Sequence, residues 1–155
     1  FIEFMPLDSG RAWQKEHVVP GAEILERLQA TFELEPMEME HASATANRWR
    51  FKTGTGEIGL ITPVTEPFCG ACDRSRLTAD GLWYLCLYAQ RGIDLKPLLR
   101  EQEDQQALLE RVRAGWTGRT DRGAEERLGD PQRAALYQVE ELQADPHREM
   151  HTRGG

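Results

Sequence analysis

Residues 69–88 of the 155-residue chain read CGACDRSRLTADGLWYLCLY and contain all three cysteines of the protein. Cys69 and Cys72 form a Cys-x-x-Cys pair, and Cys86 follows after thirteen further residues. A pair with this spacing allows two thiolates of a single turn to hold one ion or cluster. The stretch therefore predicts a metal site or a redox site, and it determines how the surrounding chain has to fold.

The residues between the pair and the third cysteine predict a β-hairpin. Residues 77–78 and 83–88 are strand-like, and they flank the Ala-Asp-Gly turn signal at 79–81. Cys86 is therefore expected on the returning strand, so that the hairpin brings the third thiol back towards the Cys-x-x-Cys pair.

Spacing alone leaves the identity of the metal open. Three thiolates can hold a cubane iron–sulfur cluster and leave one iron without a cysteine ligand, where substrate can bind. Zinc would need a fourth ligand such as a histidine. A third interpretation is a metal-free pair of thiols with an unrelated third cysteine. A thioredoxin-like redox pair is weaker, because no βαβ pattern surrounds the motif. The histidines available to zinc are His17, His41, His147 and His151.

Two arginines follow the pair directly, in the run Cys72-Asp73-Arg74-Ser75-Arg76. On an extended segment, residues two apart point to the same side, and guanidinium groups bind phosphate oxygens in a bidentate manner. An anionic substrate held beside the metal is one interpretation. The alternative is a pair of surface arginines that form ion pairs with nearby acids such as Asp73.

Composition limits the class of protein. The 39% hydrophobic content supports a core, and no apolar run is long enough for a membrane span. The net charge of −7, from 19 basic and 26 acidic residues, argues against a general nucleic-acid binder. Three cysteines are an odd number for a secreted disulfide scaffold, and we expect a cytoplasmic protein.

The rest of the chain reads as a mixture of short strands and helices. We expect a strand over 1–5, a helix that starts at Pro20, and a hairpin whose strands are 48–52 and 57–62. Asp94 predicts a helix cap, a second helix is expected over 108–116, and residues 145–155 read as an extended tail.

Five stretches together resemble the GTP 3′,8-cyclase family of radical S-adenosylmethionine enzymes, which acts in molybdenum cofactor biosynthesis. They are FIEFMP at 1–6, GEIGLITPVTEPFCGACDRSRLTADGLWYLCLY at 56–88, DLKPLLR at 94–100, GRTDRGAEER at 118–127, and the final Gly-Gly. The resemblance implies an α/β fold that consists of the C-terminal part of an incomplete TIM-type (β/α) barrel and an α+β extension. Residues 1–40 would be the barrel remnant, and 41–155 the C-terminal molybdenum cofactor synthesis domain.

The resemblance also implies roles for particular residues and for cofactors. The family converts GTP into (8S)-3′,8-cyclo-7,8-dihydroguanosine 5′-triphosphate, with S-adenosylmethionine and two [4Fe–4S] clusters, and the full-length enzyme would be a homodimer. By this resemblance Cys69, Cys72 and Cys86 would hold the second cluster; Arg74, Ser75 and Arg76 would face GTP; Met5 would contact S-adenosylmethionine; and Gly154 and Gly155 would reach into the active site.

The first cluster of the family needs a CxxxCxxC motif, which these 155 residues lack. Since the chain also opens on Phe1 within a strand-like run, we interpret it as the C-terminal half of a longer enzyme and expect no cyclase activity from it alone. The competing interpretation, from another functional class, is a small zinc-stabilised binding module without catalysis.

Overall fold

The structure is a computed structural model that describes residues 1–6, 13–100, 105–130 and 135–153. Within these ranges the protein is a mixed α/β fold with two small antiparallel sheets and several helices. None of the described helices has the length and apolar character needed to cross a membrane. The described residues form two compact units. Unit 1 comprises 1–6, 13–73 and 124–130, and unit 2 comprises 74–100, 105–123 and 135–153.

Unit 1 contains the first sheet, whose strands are antiparallel in the order β1-β2-β3. The predicted hairpin is confirmed by β2 and β3, and Gly54 and Gly56 adopt positive φ angles in the turn between them, where glycine is favoured. Strand β1, which pairs with the other edge of β2, was not predicted. The strands are β1 (Leu34–Pro36), β2 (Ala46–Phe51) and β3 (Glu57–Ile61).

The N-terminal residues of unit 1 meet the end of β3. The predicted strand over 1–5 is wrong, because residues 1–6 contain a single parallel bridge, between Ile2 and Ile61. A strand requires a neighbour along its length, and β3 already ends at Ile61. The helix α1 (Gly21–Gln29) is confirmed, and it follows Pro20 as the sequence predicts.

A buried carboxylate joins three segments of unit 1. The side chain of Glu3 is 4% exposed and accepts backbone hydrogen bonds from Gly21 at 2.9 Å, from Val64 at 2.9 Å and from Thr65 at 2.9 Å. The hydroxyl of Thr65 donates a further bond. Because Gly21 opens α1, the positive end of the helix dipole also faces this carboxylate. A buried carboxylate is tolerated only with such compensation.

Unit 2 contains the second sheet, in the order β4-β5-β6, with Gly81 at positive φ in the predicted β4–β5 turn. The expected position of Cys86 on the returning strand is wrong. Strand β5 ends at Tyr84, and the chain then turns, since Ala89 N–H donates to the carbonyl of Cys86 at 3.1 Å. The strands are β4 (Arg76–Leu77), β5 (Leu82–Tyr84) and β6 (Ile93–Asp94).

Two predicted helices are confirmed after β6. The Asp94 carboxylate accepts a bond from Lys96 N–H at 2.9 Å, where α2 (Lys96–Arg100) begins. Trp116 of α3 (Gln105–Thr117) stacks on Trp83 of β5, with ring centroids 6.5 Å apart. Two further short helices, α4 (Gly123–Leu128) and α5 (Val139–Ala144), were not predicted from the sequence.

Residues 145–153 form turns rather than the extended tail predicted over 145–155, whose last two residues lie outside the described part of the chain. The structure has 3-10 turns at Pro146–Arg148 and Met150–Arg153. The Asp145 carboxylate accepts a bond from His147 N–H at 3.1 Å, and the hydroxyl of Thr152 donates to Pro146 O at 2.6 Å. The prediction of an extended tail was wrong because hydrogen bonds of the Asp145 carboxylate and the Thr152 hydroxyl hold the turns. Hydrophobic periodicity in the sequence does not reveal such bonds.

Replacement of Glu3 by glutamine is expected to lower the free energy of unfolding by about 3 kcal/mol, since an amide nitrogen would then face buried N–H donors that need an acceptor. Urea denaturation of Glu3→Gln measures the change. The matched control is Glu26→Gln, which changes an exposed glutamate on α1. Equal midpoints for the two variants would show that the buried carboxylate does not stabilise unit 1.

Candidate functional site

The two cysteines of the Cys-x-x-Cys pair lie on one turn of unit 1. A 3-10 turn covers Cys69–Ala71, and Cys72 N–H donates to the carbonyl of Cys69 at 3.2 Å. Both thiols are half-buried. The segment that leads to this turn is held in place, since Val64 and Thr65 donate to the carboxylate of Glu3. The turn is therefore anchored from a position only four residues before its first cysteine.

The aspartate that follows the pair is engaged by a loop of the same unit. The hydroxyl of Ser43 donates to the Asp73 carboxylate at 2.6 Å, and His41 Nδ1 lies 2.8 Å from that hydroxyl. This arrangement orients a carboxylate directly beside Cys72. The sequence contained no signal for it, because Ser43 and Asp73 are thirty positions apart.

The two arginines that were predicted to face GTP lie at the start of unit 2. Arg74 and Arg76 are half-buried, whereas Ser75 between them is exposed. Arg76 begins β4, where it lies opposite Tyr84 of β5 in the sheet register. Residues 74–76 thus carry two guanidinium groups and a hydroxyl, and this set of donors suits the oxygens of a phosphate.

Cys86 lies in unit 2, in the turn that follows β5. Its half-buried Sγ accepts a hydrogen bond from Tyr88 N–H at 3.4 Å. Gly123, the first residue of α4, packs against the same turn: a Cβ there would lie 2.6 Å from Cβ of Tyr88 and 3.3 Å from Cys86 Sγ. Sequence reasoning missed Gly123, for which the only signal is a glycine at the start of a helix.

The donors present fit an iron–sulfur cluster in their chemistry. All three cysteines are among the described residues, all are thiols, and the Sγ of Cys86 accepts a backbone N–H bond of the kind that tunes cluster ligands. Among the residues that the structure describes, no three His, Cys, Asp or Glu side chains are gathered as a metal-binding group. The structure therefore describes the Cys69–Cys72 turn within unit 1 and the Cys86 turn within unit 2.

The remaining predicted site residues lie elsewhere. Met5 is half-buried, two positions after Glu3. Gly154 and Gly155 lie outside the described residues. Of the histidines considered as zinc ligands, His41 bonds to Ser43 in unit 1, and His147 bonds to Asp80 in unit 2.

Comparison with known families identifies the chain. Residues 1–125 match the family described as Molybdenum Cofactor Synthesis C. The chain belongs to this family. The matched range contains the Cys69–Cys72 turn, the two arginines and the Cys86 turn, so the whole candidate site apart from the C-terminal glycines lies within the Molybdenum Cofactor Synthesis C region.

Curated relatives extend the match over the whole chain. This Molybdenum Cofactor Synthesis C protein is 48% identical over 156 residues to GTP 3′,8-cyclase 1 of Mycobacterium tuberculosis, and it covers 43% of that protein. It is 42% identical to GTP 3′,8-cyclase 3 of Mycobacterium bovis and 40% identical to the GTP 3′,8-cyclase of Synechococcus sp.. The alignment with the Mycobacterium bovis protein includes the whole chain, which spans 41% of the length of that protein. The alignment with the Synechococcus protein includes 99% of the chain, which spans 40% of the length of that protein.

Alanine at position 123 is expected to lower the free energy of unfolding by about 1–3 kcal/mol, because the added Cβ overlaps the buried Tyr88. Denaturant unfolding of Gly123→Ala measures the loss. Gly129→Ala is the matched control, since a Cβ at position 129 would lie 4.0 Å from the carbonyl oxygen of Glu126, an ordinary van der Waals contact. A loss no larger than that of the control would contradict the close packing around Cys86.

Proposed function

We propose that the chain is the C-terminal part of a radical S-adenosylmethionine GTP 3′,8-cyclase, a lyase of molybdenum cofactor biosynthesis. The observation that carries the proposal is the 48% identity to GTP 3′,8-cyclase 1 over the whole chain. The reaction converts GTP into (8S)-3′,8-cyclo-7,8-dihydroguanosine 5′-triphosphate. In this proposal the chain contributes the auxiliary cluster site and the GTP site.

The proposed roles of the side chains follow from their chemistry. Cys69, Cys72 and Cys86 would hold a [4Fe–4S] cluster, which when bound supplies an iron with an open position for the guanine base. The guanidinium groups of Arg74 and Arg76 bind the anionic part of GTP, and the hydroxyl of Ser75 adds a neutral donor.

Two further contacts complete the proposed active site. Met5 packs against S-adenosylmethionine, and Gly154 with Gly155 approaches the substrate through its backbone. Only a residue without Cβ allows a backbone to come so close to a ligand.

The remaining components would come from outside these 155 residues. Residues 1–40 are proposed as a remnant of an incomplete TIM-type barrel, and 41–155 as the domain that carries the cluster and the Gly-Gly tail. Because the chain has three cysteines, it cannot hold a second three-thiolate cluster. S-adenosylmethionine activation, the first [4Fe–4S] cluster and the homodimer contacts are therefore assigned to the longer enzyme, and the isolated chain is expected to have no cyclase activity.

A zinc-stabilised binding module without catalysis is the competing function. The observation in its favour is the Cys69–Cys72 turn, since zinc knuckles use the same spacing and zinc accepts histidine as a fourth ligand. This function requires neither GTP nor iron.

Anaerobic reconstitution distinguishes the two functions. We expect a brown protein with about four irons per chain, as a single cubane cluster requires. Alanine at Cys69, Cys72 and Cys86 should remove the iron, whereas the matched control Ser75→Ala should retain it. A colourless protein that binds one zinc and no iron would refute the cluster proposal.

Cyclase activity can be tested in a chimera in which this chain replaces the matching C-terminal part of GTP 3′,8-cyclase 1 of Mycobacterium tuberculosis. The chimera is expected to cyclise GTP, and the isolated 155 residues are not. Replacement of the three cysteines by alanine should abolish turnover. Activity that survives this replacement would show that the cysteines do not take part in the reaction.

Loss of one guanidinium group is expected to weaken GTP binding by about 10- to 150-fold, which corresponds to a charge-assisted hydrogen bond of about 1.5–3 kcal/mol. Isothermal titration of the Arg74→Ala chimera with GTP measures the change. Arg91→Ala is the matched control, because Arg91 is an exposed arginine of the same unit. A GTP affinity equal to that of the control would show that Arg74 does not contact GTP.

A further inference from the structure

The imidazole of His147 lies between two carboxylates of unit 2. Its Nε2 is 2.8 Å from Asp80 Oδ2, and its Nδ1 is 3.3 Å from Asp145 Oδ1. Asp80 lies in the β4–β5 turn, sixty-seven positions before His147. An imidazole can donate from both nitrogens only when it is protonated. The geometry therefore suits an imidazolium that bridges a distant turn and its own segment.

Residues 145–153, here called the C-terminal segment, are internally tied. The amides of Arg148 and Glu149 donate to the carbonyls of Asp145 at 3.0 Å and Pro146 at 3.1 Å. The hydroxyl of Thr152 lies within hydrogen-bond distance of Pro146 O and of Glu149 O. Because these bonds connect both 3-10 turns, a contact made by His147 holds the whole segment rather than one side chain.

The start of the segment is anchored separately. The guanidinium of Arg148 donates to Glu141 of α5 at 2.9 Å and lies 5.3 Å above the buried ring of Tyr137. The hydroxyl of Tyr137 reaches Ala89 O at 3.5 Å. These contacts fix the side of the segment that adjoins α5. The His147–Asp80 contact is a second attachment point, formed on the turn between β4 and β5.

The charges around the imidazole favour its protonated form. The hydrogen bond to Asp80, followed by the charge of that carboxylate and the contacts with Asp145, raises the pKa of His147 against partial burial, which acts to lower it. Bonds from Thr78 and His147 lower the pKa of Asp80. The guanidinium of Arg148 lies 3.3 Å from the Asp145 carboxylate, so that Asp145 contacts both His147 and Arg148.

We propose that His147 fastens the C-terminal segment to the β4–β5 turn as a pH-sensitive bridge between Asp80 and Asp145. This fastening does not depend on the proposed function.

The proposal predicts how the attachment of the C-terminal segment changes with pH. A histidine whose pKa is raised in the folded state stabilises that state fully below its ordinary pKa, and the contribution disappears as the pH rises through the raised value. Asp80 stays ionised over this range, because its own pKa is lowered. The segment should therefore be fully fastened below the ordinary pKa of histidine and should loosen as the pH rises through the raised pKa of His147.

Hydrogen exchange in the 155-residue chain tests the fastening. Both His147→Ala and Asp80→Asn are expected to reduce the protection factors of the Arg148 and Glu149 amides by about threefold to fivefold, as for a partly exposed ion pair. His151→Ala is the matched control, because His151 is an exposed histidine of the same segment that bonds to the nearby Glu149. Unchanged protection in both test variants would overturn the proposal.

An NMR titration of the imidazole gives a second measurement that does not depend on global stability. The pKa of His147 should fall in Asp80→Asn, because its first hydrogen-bond partner loses its charge. An identical titration curve in the wild type and in this variant would also overturn the proposal.

Discussion

The carboxylate of Glu3 is the constraint on which unit 1 depends. A buried carboxylate is costly unless its oxygens are satisfied, and here the donors come from the first residue of α1, from Val64 and from Thr65. The N-terminal residues, the helix and the segment after β3 must therefore meet at one point. The same segment continues into the Cys69–Cys72 turn, so the buried carboxylate sets the starting position of that turn.

Glycines complete this arrangement where backbones approach closely. A Cβ at Gly21 would lie 2.3 Å from Thr62 Cγ2, which would separate α1 from the Glu3 carboxylate. In unit 2, Gly123 has the same function beside Tyr88 and the Cys86 turn. Neither contact leaves room for a side chain on the glycine, and the two contacts lie in separate units.

Patterns with a local cause could be predicted. The periodicity of α1, the turn glycines of the two hairpins and the capping role of Asp94 depend on neighbours within a few residues, and each of them is present in the structure. The errors have non-local or side-chain causes. The strand expected over 1–5 found a partner only at Ile61, and the segment after Asp145 is turned by side-chain hydrogen bonds.

By itself, the sequence determined the chemical inventory of this protein: a Cys-x-x-Cys pair with a third cysteine, two arginines separated by one serine, a final pair of glycines and the family that this combination resembles. Only the tertiary structure decided which groups meet. The contacts of Glu3 with Val64, of Ser43 with Asp73 and of His147 with Asp80 join residues between thirty and sixty-seven positions apart. No local pattern encodes such pairs, because their hydrogen bonds exist only after packing has brought distant segments together.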